Sequence, residues 1–343
     1  MDSPETKLTP ILITGATGLV GSQLVRRYLA AGRPVRALHR PSSDRSLLSD
    51  VQNQIQWLEG DILDIPSLED AIQPGVDVIH AAALVSFAPR DRARMEKINV
   101  EGTANVVNVC LMAGIRKLGF VSSVAALGRP AYKGIKPTAP IVINESQKWE
   151  VSPDNSAYAL TKYRAELEVW RGVAEGLNAV IVNPSIILGE GDWHRSSSQL
   201  FRYAYEERPF YTDGLTNVVD VRDVAEALFQ LMESDHSAKR YVLNAETLPY
   251  RSLLTQMAEA FGRKPPRLRV SPLATSVFWR LEAIRSYLTG KAPLITKETA
   301  RSATRAYRFD GTAITRDLPF AYRPSGDTIR RVSTYFSTRT GQA

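Results

Sequence analysis

The sequence predicts an α/β fold: a doubly wound parallel sheet with a smaller, mostly helical, discontinuous substrate lobe. Three observations predict it. Short apolar runs alternate with helical patterns through the first half of the chain, and strict alternation means crossover connections, hence parallel strands covered on both faces. The first apolar run ends in a glycine triplet that opens a helical pattern. The chain has 343 residues, 44% hydrophobic and 23% charged. That is an ordinary globular composition, but too long for a single core to grow comfortably.

Taken in order, Ile11–Thr14 reads as a strand and Leu19–Ala31 as a helix, with apolar residues at 20, 24, 25, 28 and 29. Val35–Leu38 and Ile55–Leu58 are the next strands, followed by a short helix over Ser67–Ile72. Val76–Ala81 is a fourth strand, Arg92–Ala113 one long helix, and Leu118–Ser122 a fifth strand. Ser156–Glu175 reads as a helix and Ala179–Asn183 as a sixth strand. After Pro184 the rhythm breaks. A helix is expected over 199–207, an extended Asn217–Val219, a helix over Val221–Glu233 and a strand at Tyr241–Leu243. The expected division is a dinucleotide-binding domain of 1–183 plus 220–244, with 184–219 plus 245–343 forming the lobe.

Composition removes several classes. The single cysteine, Cys110, excludes an internal disulfide framework, and its place in an apolar helical pattern marks it as a buried, inert thiol. Four histidines, 39, 80, 194 and 236, show no i, i+4 pairing, so no catalytic metal is expected. No apolar run reaches the ~18 residues of a membrane span, and the polar Met1–Lys7 stretch lacks a signal-peptide core. A cytoplasmic location is the default expectation. The net charge of +7 is uneven. Arg251–Ala343 holds 17 Lys+Arg against 6 Asp+Glu, and the first 250 residues hold 26 against 30. With no nucleic-acid motif present, that surplus reads as a solvated helical face, or as a few arginines steering an anionic substrate.

Gly15-Ala-Thr-Gly18-Leu-Val-Gly21 follows a strand and opens a helix. Glycines there let the backbone turn tightly and approach a pyrophosphate, with the exposed N–H groups and helix dipole facing the anion. Thr17, Leu19 and Val20 belong to the same turn. A dinucleotide site that prefers NAD usually has an acid at the end of the second strand. Here that strand ends Leu38-His39-Arg40, with no acid between Arg33 and Ser43. Arg40 suits a 2′-phosphate, so NADP(H) is favoured over NAD(H); alternatively Arg40 is a solvated surface residue. Asp61, in Gly60-Asp61-Ile62, could accept from the adenine amino group with Ile62 against the ring, or could cap a turn. Ala81, Ala82 and Ala83 are small enough to let a cofactor lie against the backbone. His80 beside them reads as a hydrogen-bonded strand-end residue.

Tyr158-Ala-Leu-Thr-Lys162 places a phenol and an ammonium at i and i+4, on one helix face. The charge is expected to lower the tyrosine pKa, so that the pair exchanges a proton with a substrate oxygen while a hydride moves. Ser122 and Ser123 end the fifth strand, at the carboxyl edge where such sheets bind ligands.

These motifs make the chain resemble an extended short-chain dehydrogenase/reductase. That group holds NAD-dependent epimerase/dehydratases, dihydroflavonol 4-reductases and 3-beta-hydroxysteroid dehydrogenases. The likeness runs over nearly the whole chain. Besides the segments already quoted it includes His80-Ala-Ala, Asn99-Val-Glu-Gly-Thr103, Asn183-Pro184-Ser185, Asp220-Val-Arg-Asp-Val224 and Tyr307-x-Phe-Asp310. The resemblance implies a Rossmann-like sheet and a Ser-Tyr-Lys mechanism. Counting back five from Gly128 selects Ser123 as the serine acting with Tyr158. It further implies that Lys162 holds the nicotinamide ribose and Asp61 the adenine, that Asn99 and Ser122 belong to the cofactor site, and that Pro184 and Ser185 lie by the nicotinamide. His39 stands where many NAD-preferring relatives carry an acid. Family members commonly dimerise through two helices, here 92–113 and 156–175.

Within that group, sugar-nucleotide dehydratases resemble one another in an acid pair after the fifth-strand hydroxyl, where this chain has Val124-Ala125-Ala126. Sugar-nucleotide epimerases often carry an arginine where this chain has Leu215-Thr216-Asn217. The expectation is therefore an NADP-preferring carbonyl reductase or alcohol dehydrogenase, dihydroflavonol-reductase-like, acting on a medium-sized, largely apolar small molecule. A sugar-nucleotide epimerase is the alternative, and an NADP-sensing binding protein the non-enzyme one. Leu84, Val85, Phe87, Trp193, Phe210, Tyr211, Phe278 and Trp279 are lobe core or substrate contacts. Leu273, Val277, Leu281, Ile284 and Leu288 have helical spacing, for a packed helix, a lid or, with Arg280, Arg285 and Lys291, a membrane-surface element.

Overall fold

In the computed structural model the described residues are 9–130, 139–271 and 306–340. Seven parallel strands make the central sheet: β1 (Ile11–Thr14), β2 (Val35–His39), β3 (Ile55–Glu59), β4 (Asp77–His80), β5 (Lys117–Val121), β7 (Ala179–Pro184) and β11 (Lys239–Leu243). Their order is β11-β7-β5-β4-β1-β2-β3. All residues of β1, β4, β5 and β7 are buried. That explains why they read as continuous apolar runs rather than alternations: parallel strands meet helices on both faces.

Helices that hold this sheet or flank it include α1 (Leu19–Ala30), α2 (Ile65–Ala71), α3 (Arg92–Met95), α4 (Gly102–Ala113), α5 (Ala157–Ala174) and, later in the chain, α7 (Val221–Glu233). One face is covered by α1 and α7, whose Leu24, Tyr28, Leu228 and Leu231 pack onto Ile11, Ile13 and Val180. On the other face α4 and α5 pack Val106, Cys110, Ala165 and Val169 onto Leu12, Leu118 and Ile181. Burying each leucine, isoleucine or valine among them contributes roughly 1.5–3 kcal/mol. The Cys110 thiol is fully buried and burial pushes its pKa up. At the amino edge of the sheet, buried Asp77 pairs with Arg33 and Arg116. Removing either arginine would weaken the compensation of a carboxylate in the core.

Where one helix was expected over 92–113, α3 passes through a π-turn, Glu96–Glu101, before α4 begins. Hydrophobic periodicity does not register a single added residue per turn. Two contacts hold the turn: the Asn99 side chain is drawn out to Leu84, and Gly102 lies so close to Ile62 that a Cβ there would meet it at 2.6 Å.

Smaller pairings flank the sheet. β6 (Ile141–Ile143) runs parallel to β14 (Tyr307–Phe309), and β9 (Phe210–Tyr211) to β13 (Leu268–Arg269). The expected extended stretch at 217–219 is part of β10 (Leu215–Asp220), which lies between β8 (Ile186–Leu188) and β12 (Glu246–Pro249) in a separate three-stranded sheet. α6 (Ser198–Tyr205), α8 (Tyr250–Ala260) and the helix Ser325–Thr340 share a core of Phe201, Leu253, Met257, Val332 and Phe336. Trp193 belongs there too, against Tyr205 and Phe336. Asp220 caps α7 through the Arg222 N–H and also accepts from Thr328 and Arg331, while Asp223 accepts from the Arg323 N–H. Those two aspartates anchor the last helix. Ile314 and Phe320, from the segment assigned to the lobe, pack into the core of the central sheet. The expected helix over 273–288, with Phe278 and Trp279, lies outside the described residues. No helix among the described residues is long and apolar enough to cross a membrane.

Candidate active site

The carboxyl ends of β1, β2, β4, β5 and β7 open on one edge of the sheet. Parallel register brings Thr14 level with Leu38 and His80, and Val121 level with Val182. The glycine turn begins at that edge. Gly15 has φ +70°, and a Cβ there would meet the Ala82 nitrogen at 2.6 Å. A Cβ on Gly21 would run into the Gly15 carbonyl oxygen. The Gly18 N–H closes the turn onto that same oxygen at 3.0 Å. Gly18 is the N-cap of α1 and supplies no side-chain cap, so the N–H groups of the turn that includes Thr17, Leu19 and Val20 present themselves to an anion. Ala81 and Ala82, just past the end of β4, lie directly against Gly15 of this turn, with Ala83 next in the chain.

His80 is spent on structure. Its ring nitrogens bond the Thr14 and Thr103 hydroxyls at 2.7 and 3.1 Å. Burial, aided by the Lys162 charge, pushes its pKa down to about 3. Asn99 is likewise committed: its Oδ1 accepts from the Leu84 N–H at 2.7 Å, and its Nδ2 donates to the Leu84 carbonyl and the Thr161 hydroxyl. It therefore shapes the loop after β4 instead of offering its amide to a ligand. The loop carries Val85 and Phe87, both exposed. The Phe87 ring stands edge-on to Tyr158 with centroids 6.0 Å apart.

Ser123 leaves β5 extended and caps the short turn Val124–Leu127, its Oγ accepting from the Ala125 N–H at 3.2 Å. Ser156 caps α5 in the same way, accepting from the Ala159 N–H at 3.0 Å. That cap fixes Tyr158 in the first turn of α5, where Ser123 reaches its phenol. Burial pushes the phenol up to about 12 and the hydrogen bond with Ser123 pulls it back down. Lys162, one turn on, is 2% exposed. Its ammonium donates to the Val121 carbonyl at 3.0 Å and lies 4.5 Å from the Phe120 ring centre. Burial pushes Lys162 down to about 8, against the opposing pull of Glu166. The expectation that Lys162 depresses the Tyr158 pKa needs correcting here: the ammonium is held by the β5 carbonyl, and burial governs the phenol.

Other expected site residues divide. The Ser122 hydroxyl donates to Glu166 at 2.6 Å, so of the serine pair it is Ser123 that faces the tyrosine. Asp61 satisfies its turn reading, one carboxylate oxygen accepting from the Leu63 N–H at 3.0 Å. Ile62 is buried against Gly102. His39 bonds the Arg40 carbonyl through Nδ1 and stands edge-on to Trp57. Arg40 is exposed. Pro184 ends β7, and the buried Ser185 hydroxyl has no hydrogen-bond partner among the described residues. Ser185 borders a cavity of about 50 Å³ shared with Val124, Arg129, Thr216 and Tyr250. No cluster of His, Cys, Asp or Glu that could hold a metal occurs among the described residues.

The profile of the NAD dependent epimerase/dehydratase family matches residues 11–244. The chain belongs to that family. This epimerase/dehydratase-family chain is 30% identical over 313 residues to a Synechocystis protein described as a candidate dihydroflavonol 4-reductase, covering 89% of this chain and 88% of that one. It is 31% identical over 265 residues to sterol demethylase protein B of Methylococcus capsulatus, covering 76% and 77%. Among solved structures, that of gox2253 superposes with a TM-score of 0.80 at 30% identity, over 97% of this chain and 99% of that one. The family member described here is thus an NAD(P)-dependent enzyme of the extended short-chain dehydrogenase/reductase type. Sequence reasoning missed Glu166, whose i+4 spacing from Lys162 was a usable signal, and did not single out Phe87 from the other aromatics.

Proposed function

We propose that this enzyme is an NADP(H)-preferring carbonyl reductase or alcohol dehydrogenase for a medium-sized, largely apolar substrate. The observation that carries the reading is the placement of Ser123 at the end of β5, acting on the phenol of Tyr158 in the first turn of α5, with Lys162 one helical turn on, at the sheet edge beside the glycine turn. A bound nicotinamide would supply or accept the hydride. The Gly15–Gly21 backbone would hold the pyrophosphate, Asp61 the adenine through its second carboxylate oxygen, and His39 and Arg40 a 2′-phosphate. Pro184 and Ser185 would border the nicotinamide, with Lys162 on its ribose. Ser123 orients the substrate oxygen, and Tyr158 Oη delivers the proton in reduction or removes it in oxidation. Val85 and Phe87 offer the substrate an apolar wall. The exposed Met112 on α4 and Leu167 on α5 support pairing of two copies through these helices as a homodimer.

A panel of aliphatic and aromatic aldehydes, ketones and alcohols, assayed by nicotinamide absorbance with NADPH and NADH side by side, tests this. Tyr158→Phe should lose ~10²-fold or more in turnover while keeping its NADPH affinity. Turnover within a few-fold of the wild type would remove Tyr158 from the role. One observation favours the second reading, a sugar-nucleotide epimerase: Arg129 lines the cavity behind Val124 and would suit an anionic substrate. NAD retained through purification, with no net consumption of added NADPH, would decide for it.

A further inference from the structure

We propose that Glu166 is a positioning residue of the Ser-Tyr-Lys set, joining the ends of β5 and β7 to α5 and fixing a buried carboxylate one helical turn from Lys162. This inference rests on the reductase reading for its consequence in catalysis, but not for its geometry. The Glu166 side chain is almost wholly buried, and each of its oxygens receives two donors. Oε2 accepts from the Ser122 hydroxyl at 2.6 Å and from Asn183 Nδ2 at 2.7 Å. Oε1 accepts from Arg240 Nη1 at 3.0 Å and from Trp170 Nε1 at 3.3 Å.

The network reaches the reacting groups by two routes. Asn183 Nδ2 also donates to the Ser123 carbonyl at 3.0 Å, so the backbone that presents the Ser123 hydroxyl is held from below by Glu166 through one amide. Along α5, Glu166 lies one turn beyond Lys162, on the face that carries Tyr158. Arg240, arriving from β11, is itself fixed by the Glu145 and Gln147 carbonyls. A carboxylate buried among these donors stays in one place, and a fixed charge acts on its neighbour with little screening.

The titratable groups around Lys162 define what a change at Glu166 would do. His80 of β4 feels the Lys162 charge and is neutral through the working range. Tyr158 lies on the same helix face, and β5 contributes the Val121 carbonyl and the Phe120 ring. Glu166 is the anion acting to keep Lys162 protonated, against burial, and Arg240 pairs with Glu166 at 3.0 Å. Removing the Glu166 charge therefore lowers the pH at which Lys162 loses its proton.

The test is a site-specific titration of Lys162 in the full-length protein, without cofactor or substrate. The 13Cε shift of Lys162 is followed in lysine-labelled protein and assigned by Lys162→Arg. Glu166→Gln keeps the shape and should move the midpoint down by about 1 pH unit, whereas Glu166→Asp, which keeps the charge, should retain most of the wild-type value. An unchanged midpoint in Glu166→Gln, or equal shifts for Gln and Asp, would overturn the proposal. Should Glu166→Gln not fold, the wild type decides: the Glu166 13Cδ shift should show a step at the Lys162 midpoint, and a trace that stays flat through it refutes the pairing. Because no substrate is involved, failure here is separable from failure of the reductase reading, which Tyr158→Phe tests.

Discussion

Asn99 grips both backbone groups of Leu84, accepting from its N–H at 2.7 Å and donating to its carbonyl at 2.9 Å. The Asn99 side chain reaches that segment from a π-turn between α3 and α4. An α-helix in its place would rotate the amide away from Leu84, so the irregular turn and the loop that carries Phe87 to Tyr158 are one device. Asn99→Ala should lower stability by about 1–3 kcal/mol, because it strands a backbone donor and acceptor. It should also raise KM more than it lowers kcat, since the wall is lost and the proton relay is kept. Urea unfolding and steady-state kinetics check the two halves separately.

Glycine is required in the nucleotide turn for space as well as for conformation. Gly21→Ala places a methyl group against the Gly15 carbonyl, which is backbone and has nowhere to go. Gly32 has a positive φ, +72°, like Gly15 of the turn at +70°, but open space around it. Gly32→Ala should therefore cost only about 1 kcal/mol of backbone strain and leave NADPH binding intact. Gly21→Ala should abolish NADPH binding at any concentration where the wild type saturates. Calorimetric titration of the two variants makes the comparison.

Cofactor choice is expected to rest on Arg40. It is exposed, and its hydrogen bonds to the described residues His39 and Ser43 use backbone atoms, which leaves its guanidinium available for a phosphate. Arg40→Ala should weaken NADPH binding by roughly 10-fold, the equivalent of one charge-assisted contact, and alter NADH affinity little. Parallel Kd measurements check this; equal losses for both cofactors would assign Arg40 to the solvated surface.

Lys162 carries a stability penalty with a defined pH window. Its folded pKa, about 8, lies below the ordinary 10.5, so between those values the unfolded chain binds the proton and the folded chain does not. Stability therefore rises with pH across that window, and the full penalty applies below pH 8. The penalty is roughly 3 kcal/mol, partly offset by about 1 kcal/mol from the bond to the Val121 carbonyl. Lys162→Met should thus gain about 1–2 kcal/mol at pH 7, lose that gain as pH approaches 10.5, and lose catalysis throughout. Denaturant melts at several pH values check the sign.

Much of the nucleotide half was legible in the sequence because local rules agree there. The β1 run Ile11–Thr14, the glycine spacing and the helical pattern from Leu19 all depend on neighbours in the chain, and each points to the same turn. Tyr158 and Lys162 were readable because i, i+4 places two side chains on one face whatever the surroundings. Tertiary structure alone decided how the remaining groups were used. Ser122 and Ser123 are adjacent and chemically identical, and only the strand's pleat sends one hydroxyl to Glu166 and the other to Tyr158. Asn99 and Ile62 carry the signature of a site, yet long-range contacts with Leu84 and Gly102 commit both to shaping it. The Tyr158 and Lys162 pKa values depend on burial, which no spacing rule reports. Sequence by itself determined the sheet, its glycine turn and the placing of Tyr158 and Lys162 on one helix face, through short-range geometry. Which polar group faces the cleft and which one holds it open was settled by contacts between residues tens of positions apart.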